Sequence, residues 1–313
     1  MCTSVRFDDS LGNMYFGRNL DWCNGYGEQL VVTPRNHVDN VGRQAVIGVG
    51  IVVGGYPMYF DCANENGLAI AGLNFVGYAY FPDEPYPGTE GVAPYTFPYW
   101  VTSSFKSLAE AKEGLSHTTL VNKAYSDQMP VASLHYMIAD ATGSIVVEAR
   151  EGGLRIYDDP VDVMTNQPPF DWHMENLRNY LNCTDELVTT VSWGDHEMES
   201  YGVGAGMRGI PGDMYSTSRF VRAAYINTHY PQKDSEQENV ARLFHTLGGV
   251  QMIEGCGVMG TGKHEYTVYT SGYSQREQRY YYNTYLDNTL RTASLNDYAD
   301  LDGDAVIYPE KRA

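Results

Sequence analysis

Hydrophobic and polar positions alternate in short runs over the first third of the chain, give way to helical spacing, and return to alternation near the end. Residues 4–7, 14–18, 30–33, 46–53, 59–62 and 68–73 combine β-branched and aromatic residues with strand patterning, as do 134–139, 145–148 and 153–157. Apolar residues at helical intervals mark 97–105, 107–115, 170–180, 218–227 and 236–246. Asp171 is the expected cap of the third helix, and Ser216 or Ser218 of the fourth. Strand character resumes at 265–270 and 279–285. The longest apolar stretch, 45–60, is shorter than a membrane span and is broken by glycines at 48, 50, 54 and 55, so it reads as buried strand with a turn.

Strands and helices are segregated rather than strictly alternating, which predicts an α+β fold. At 313 residues two domains are the default. No linker, low-complexity tract or repeat divides the chain, however, so a single layered domain over 1–313 is expected.

The chemistry concentrates at the start. Cys2 follows Met1, and a small second residue invites removal of Met1, which would free the Cys2 α-amine. Such an amine has a pKa of about 7.7–8.0, suited to a general base at neutral pH, so one residue would hold both nucleophile and base. Strand-forming residues 5–7 and 14–16 flank a polar turn containing Gly12-Asn13, which predicts a hairpin folded near Leu11. That fold sets Cys2 opposite 18–21. A one-residue slip would exchange faces but preserve proximity. Arg18 then favours thiolate over thiol, and Asp21 holds the terminal amine. On spacing alone the two read equally well as a surface ion pair.

Met1-Cys2-Thr3, Phe16-Gly17-Arg18-Asn19-Leu20-Asp21 and Thr33-Pro34-Arg35-Asn36 resemble the choloylglycine hydrolase family of N-terminal-nucleophile hydrolases, which holds bile salt hydrolases and penicillin V acylases. Further resemblances follow in the family's order: Asn64-Glu65-Asn66-Gly67-Leu68, Ala71-Gly72-Leu73-Asn74-Phe75, Ser144-Ile145-Val146-Val147-Glu148 and Met164-Thr165-Asn166-Gln167-Pro168. Gly209-Ile210-Pro211-Gly212-Asp213, Ser218-Arg219-Phe220 and Tyr281-Tyr282-Asn283-Thr284-Tyr285 complete the set. The resemblance spans essentially the whole chain and is strongest to gut-bacterial bile salt hydrolases.

The resemblance implies an αββα sandwich with Cys2 at the end of a central strand. It also implies hydrolysis of glycine- or taurine-conjugated bile salts through a thioester, with no metal or organic cofactor. By the same resemblance Asn74 and Asn166 line the oxyanion site, and Arg219 joins Asp21 around the terminus. Without it, Asn74 and Asn166 read as turn residues and Arg219 as a helix-surface cation. Leu20, Trp22, Tyr26 and Phe60 are the expected wall of a steroid pocket, although each suits a core equally well. Penicillin V acylases would run the same chemistry on another acyl group. Their site tends to carry an aromatic residue at the position matched by Asn74, so Asn74 points toward bile salts. A catalytically silent binding protein of the same fold is the alternative of a different class, and the presence of Cys2, Arg18, Asp21, Asn74, Asn166 and Arg219 argues against it. Family members are often tetramers, so the resemblance implies a homo-oligomer.

Charge narrows the partners. With 39 acidic and 21 basic residues the net charge is −18, which repels phosphate backbones and anionic lipid and makes locally placed arginines more informative. Nucleic-acid and membrane partners are therefore not expected. No basic-then-apolar leader opens the chain, and the odd set of five cysteines (2, 23, 62, 183 and 256) lacks metal-ligand or CxxC spacing, which predicts free thiols in a reducing cytoplasm, a bacterial one by the resemblance. The eight histidines form no HExxH and no close pair, so a metal site is not expected. Gly204-Ala205-Gly206-Met207-Arg208-Gly209 matches GxGxxG, but no strand precedes it and Pro211 stands where a helix would begin.

Overall fold

The computed structural model describes residues 1–37, 39, 44–301 and 303–307. The strands are β1 (Cys2–Asp8), β2 (Met14–Trp22), β3 (Gln29–Thr33), β4 (Val46–Val53), β5 (Tyr56–Asn64), β6 (Ala69–Asn74), β7 (Glu90–Val92), β8 (Thr118–Leu120) and β9 (Leu134–Asp140). They continue with β10 (Gly143–Arg150), β11 (Gly153–Asp158), β12 (Val163–Met164), β13 (Thr190–Trp193), β14 (His196–Glu199), β15 (Tyr266–Ser274), β16 (Arg279–Thr284), β17 (Arg291–Ser294) and β18 (Val306–Ile307). The helices are α1 (Phe97–Ser104), α2 (Leu108–Leu115), α3 (Phe170–Asn176), α4 (Ser216–His229) and α5 (Glu236–Gly248).

Two sheets stack face to face. One has the order β12-β1-β2-β15-β16-β17, the other β11-β10-β9-β6-β5-β4-β3-β18. Helices α4 and α5 cover the outer face of the first through β1, β2 and β15, while α1 packs on β5 and β6 of the second and α2 on β9. This is the expected αββα sandwich. Strand alternation divides the core: on β9, Met137 joins the apolar layer between the sheets, whereas Tyr136 and Ile138 join the layer under α1 and α2. Both faces are covered, so these strands read as continuous apolar runs.

Helix ends depart from the expectations in two places. Asp171 does not cap α3: Pro169 precedes the helix, and the Asp171 carboxylate accepts from Trp172 N just inside it. The helix also stops at Asn176 and tightens into a 3₁₀ turn over Leu177–Tyr180. Neither Ser216 nor Ser218 caps α4, which follows Tyr215 without a side-chain cap. Ser216 Oγ instead accepts from Asn166 N at 3.0 Å, and Ser218 Oγ donates to Asp213. A tertiary partner has drawn Ser216 away from the local cap, and a carboxylate just upstream has drawn Ser218. Ser107 and Ser235 do cap α2 and α5, and the Ser235 hydroxyl also donates to the Glu238 carboxylate.

Helix α5 approaches the first sheet over a pair of glycines. Gly17 on β2 faces Gly272 on β15, and Leu243 lies over both. A Cβ at Gly17 would stand 2.4 Å from the Ser271 carbonyl oxygen and 3.2 Å from Leu243 Cδ1. Gly17→Ala is therefore expected to destabilise the fold by roughly 1–3 kcal/mol through overpacking. Urea denaturation checks this, and an unchanged midpoint would show that the strand has room to shift.

Candidate active site

The first hairpin pairs Cys2 with Leu20 and Ser4 with Arg18. Alternation then puts Cys2, Arg18 and Leu20 on the face toward the second sheet, and Thr3, Asn19 and Asp21 on the face toward the helices. Arg18 is 1% exposed and lies diagonally from Cys2, its Nη2 donating to Cys2 Sγ at 2.8 Å. Its Nη1 donates to Gly72 O at 2.9 Å and Phe60 O at 3.3 Å, and Nε to Asn19 O at 3.3 Å. Burial opposes the Arg18 charge, but Cys2, Tyr269, Asp61 and Asp21 outweigh it and the pKa is raised.

Two β-bulges shape this region. Tyr59 and Asp61 pair with the adjacent residues Gly50 and Val49, which leaves Phe60 as the extra residue on β5. Its carbonyl is thereby free for Arg18, and its ring turns into the cleft described below. Val268 is likewise the extra residue of β15 opposite Leu20 and Asp21.

On the helix side, Arg219 of α4 reaches the start of β1. Its Nη1 donates to Cys2 O at 2.5 Å and Thr3 Oγ1 at 2.6 Å, and Nη2 to Asn166 Oδ1 at 2.8 Å. Burial lowers its pKa, against Asp21 and Cys2, which act to raise it. Asp21 Oδ2 lies 4.0 Å from Arg219 Nη1 and has no hydrogen-bond partner among the described residues, while Oδ1 accepts from Thr267 Oγ1 at 2.6 Å. Asn166 Oδ1 also accepts from Cys2 N at 2.6 Å, and its Nδ2 donates to Asn74 O at 2.8 Å. The Met1 ammonium donates to Asp21 O at 2.8 Å and is ion-paired with Glu265, and burial lowers its pKa.

An apolar cleft of about 420 Å³ opens over Cys2, within the usual range for small-molecule sites. Arg18, Asp21 and Asn74 share its lining with Leu20, Trp22, Tyr26 and Phe60, so every proposed pocket residue lies there. Tyr26 and Phe60 are in tilted ring contact, centroids 5.6 Å apart. Asn166 and Arg219 lie outside the cleft lining, and the 204–209 glycine run forms a short 3₁₀ turn away from it. The sequence reading missed the wall built by Tyr95, Tyr125, Met129, Val131 and Leu134. Only Leu134, paired with Asn74 at the start of β9, carried a signal for that placement. Among the described residues no group of three or more His, Cys, Asp or Glu could hold a metal, and no helix is long and apolar enough to cross a membrane.

Residues 2–308 match the linear amide C–N hydrolases, choloylglycine hydrolase family. The chain belongs to the choloylglycine hydrolase family. It is similar to a bile salt hydrolase/transferase of Bifidobacterium longum subsp. longum, 53% identical over 98% of this chain and 99% of the relative. A conjugated bile acid hydrolase of Lactobacillus acidophilus is 46% identical over 95% and 97% of the two chains. The structure of the C2A conjugated bile acid hydrolase from Clostridium perfringens superposes with a TM-score of 0.92 at 33% identity, covering 99% of this chain and 97% of the other. Penicillin V acylase from Agrobacterium tumefaciens shares the fold, with a TM-score of 0.76 at 21% identity over 97% and 90%. As a choloylglycine hydrolase family member, this chain is an enzyme of linear amide C–N bonds.

The Thr165–Asn166 backbone is held by two buried imidazoles, His135 Nε2 on Thr165 O at 2.8 Å and His173 Nε2 on Asn166 O at 2.9 Å. Burial lowers the His173 pKa to about 4. An unfolded histidine takes up its proton near pH 6.5, so below that pH the unfolded chain binds the extra proton and stability falls as pH drops toward 4. The loss approaches about 3 kcal/mol for a shift of this size. His173→Asn, which keeps a donor but cannot titrate, is expected to flatten this part of the stability–pH curve. Identical acid limbs in chemical denaturation of the two proteins would contradict it.

Proposed function

We propose that this chain hydrolyses the amide bond of glycine- or taurine-conjugated bile salts, with Cys2 as nucleophile after loss of Met1. The observation that carries this reading is the 2.8 Å Arg18–Cys2 Sγ contact at the floor of an apolar cleft. Relatives 53% and 46% identical over nearly the full length, named for bile salts and conjugated bile acids, support the substrate class.

Loss of Met1 converts Cys2 N from an amide into an amine, beside the Asn166 Oδ1 that already accepts from it. Burial there favours the neutral amine, the form a base requires. The thiol proton passes to this amine as sulfur bonds to the carbonyl carbon and the carbonyl electron pair moves onto oxygen. Asn74, lining the cleft, donates to that oxyanion, and the Asn166 bond to its backbone holds it in place. The C–N bond then breaks, glycine or taurine departs with the proton, and a thioester remains. Water attacks the thioester, the amine takes its proton, and free bile acid leaves with the thiol restored. Asp21 holds the terminal ammonium, and Arg219 anchors the Cys2 carbonyl and offsets Asp21. The steroid occupies the wall formed by Leu20, Trp22, Tyr26 and Phe60.

Active enzyme is expected to lack Met1 by intact mass, to lose activity in Cys2→Ala and to be crippled in Cys2→Ser. Iodoacetamide is expected to label Cys2 before Cys23, Cys62, Cys183 or Cys256; burial pushes the Cys62 thiol up and keeps it protonated. Values of kcat/KM for glycocholate and taurocholate should exceed that for penicillin V. A higher penicillin V value would replace the substrate while leaving the cysteine chemistry in place.

We further propose a homo-oligomer. The β13–β14 hairpin and its flanks expose Val191, Trp193, Tyr201 and Val203, and grouped exposed apolar residues mark interaction sites. Trp193→Glu is expected to reduce the mass measured by light scattering to that of a smaller species. An unchanged mass would exclude this hairpin as the contact.

A further inference from the structure

We propose that Asp61 is a positioning residue for Cys2, the counter-charge that fixes the Arg18 guanidinium and tempers its pull on the sulfur. The proposal rests on Cys2 being the nucleophile. Asp61 is fully buried on β5. Three hydroxyls from the opposite sheet converge on it: Tyr269 OH donates to Oδ1, and Ser271 Oγ (2.7 Å) and Tyr280 OH donate to Oδ2. Arg18 Nη1 lies 3.9 Å from Oδ1, and the Arg18 guanidinium also stands 5.9 Å from the Tyr269 ring centre. Three hydroxyl donors and a guanidinium around two oxygens suit an ionised carboxylate, which accepts at every lone pair.

The groups facing Asp61 are thus Arg18 on β2, Tyr269 and Ser271 on β15, and Tyr280 on β16, with Cys62 next to it on β5. Burial pushes the Asp61 carboxyl up, and Arg18, Ser271, Tyr269 and Tyr280 pull against it. Both tyrosines are themselves pushed well above the ordinary phenol range, so they remain donors.

The arrangement divides Arg18 between two anions. Its Nη2 serves the sulfur, and Nη1 lies toward Asp61. With Arg219 also buried beside Cys2, an uncompensated Arg18 would over-stabilise the thiolate. A thiolate of very low basicity is a weaker nucleophile and a better leaving group, so its thioester forms less readily. Asp61, near the other terminal nitrogen of the guanidinium, offsets this.

The test is the pH midpoint of Cys2 alkylation by iodoacetamide, with the labelled peptide identified by mass, in the enzyme and its variants. Asp61→Asn removes the charge but keeps the size, and is expected to lower the midpoint by about one pH unit. It should also cut kcat several-fold with little change in KM. Asp61→Ser, a second neutral replacement with a smaller polar side chain, is expected to shift the midpoint the same way. Arg18→Leu should move it upward, and Asp61→Glu, which keeps the charge, should leave it near the wild-type value. A midpoint unchanged in the neutral variants, with only the melting temperature reduced, would overturn the proposal and make Asp61 a packing residue. If instead activity survives Cys2→Ala or tracks another cysteine, the nucleophile reading fails, a separate result.

Discussion

Arg18 is almost wholly removed from water, and an ion so placed costs several kcal/mol unless charge and hydrogen bonds surround it. The stacked sheets provide that surrounding. Carbonyls of Gly72 and Phe60 come from the second sheet, the Asn19 carbonyl and Cys2 sulfur from the first, and Asp61 bridges the two through hydroxyls on β15 and β16. The guanidinium joins the layers where an apolar contact would otherwise stand. Every other part of the site is placed relative to it, because Cys2 is diagonal to it on the hairpin and the cleft opens above both.

The sequence was most informative where structure is local. The Gly12-Asn13 turn and the alternation around it were enough to bring Cys2 opposite 18–21, and the observed partner, Leu20, lies inside that interval. Asn166 and Arg219 are brought to Cys2 by contacts spanning 164 and 217 residues, which no local pattern encodes; family resemblance alone pointed to them. The Ser216 cap failed for a related reason, since its hydroxyl takes the Asn166 amide from another segment, while Ser218 turns back to the carboxylate of nearby Asp213. Asp61 did carry an unused signal, an acidic residue inside the apolar run Tyr59-Phe60-Asp61-Cys62. Buried carboxylates in strands need partners, and a search for those partners leads to Arg18 and the tyrosines.

The β5 bulge ties cleft shape to site charge. In a regular strand Phe60 and Asp61 would point to opposite faces, one into the sandwich and one toward α1. The extra residue lets both look inward, Phe60 into the cleft and Asp61 toward the hydroxyl cluster. Changes meant to widen the cleft at Phe60 therefore act on the backbone that carries the carbonyl and carboxylate around Arg18.

The amino end of the chain is enclosed by residues made late. Its ammonium meets Glu265, and the Asp21 beside it is held by Thr267 on β15. A ribosome working at about 5–20 residues per second needs on the order of ten seconds to a minute to reach that point, and until then the terminus has no finished site to enter. Under the proposed loss of Met1, access for an aminopeptidase would thus be a property of the growing chain rather than of the folded enzyme. On that proposal processing and folding run as a race, and a variant that folds faster around β15 would shorten the interval in which the first peptide bond can be cut.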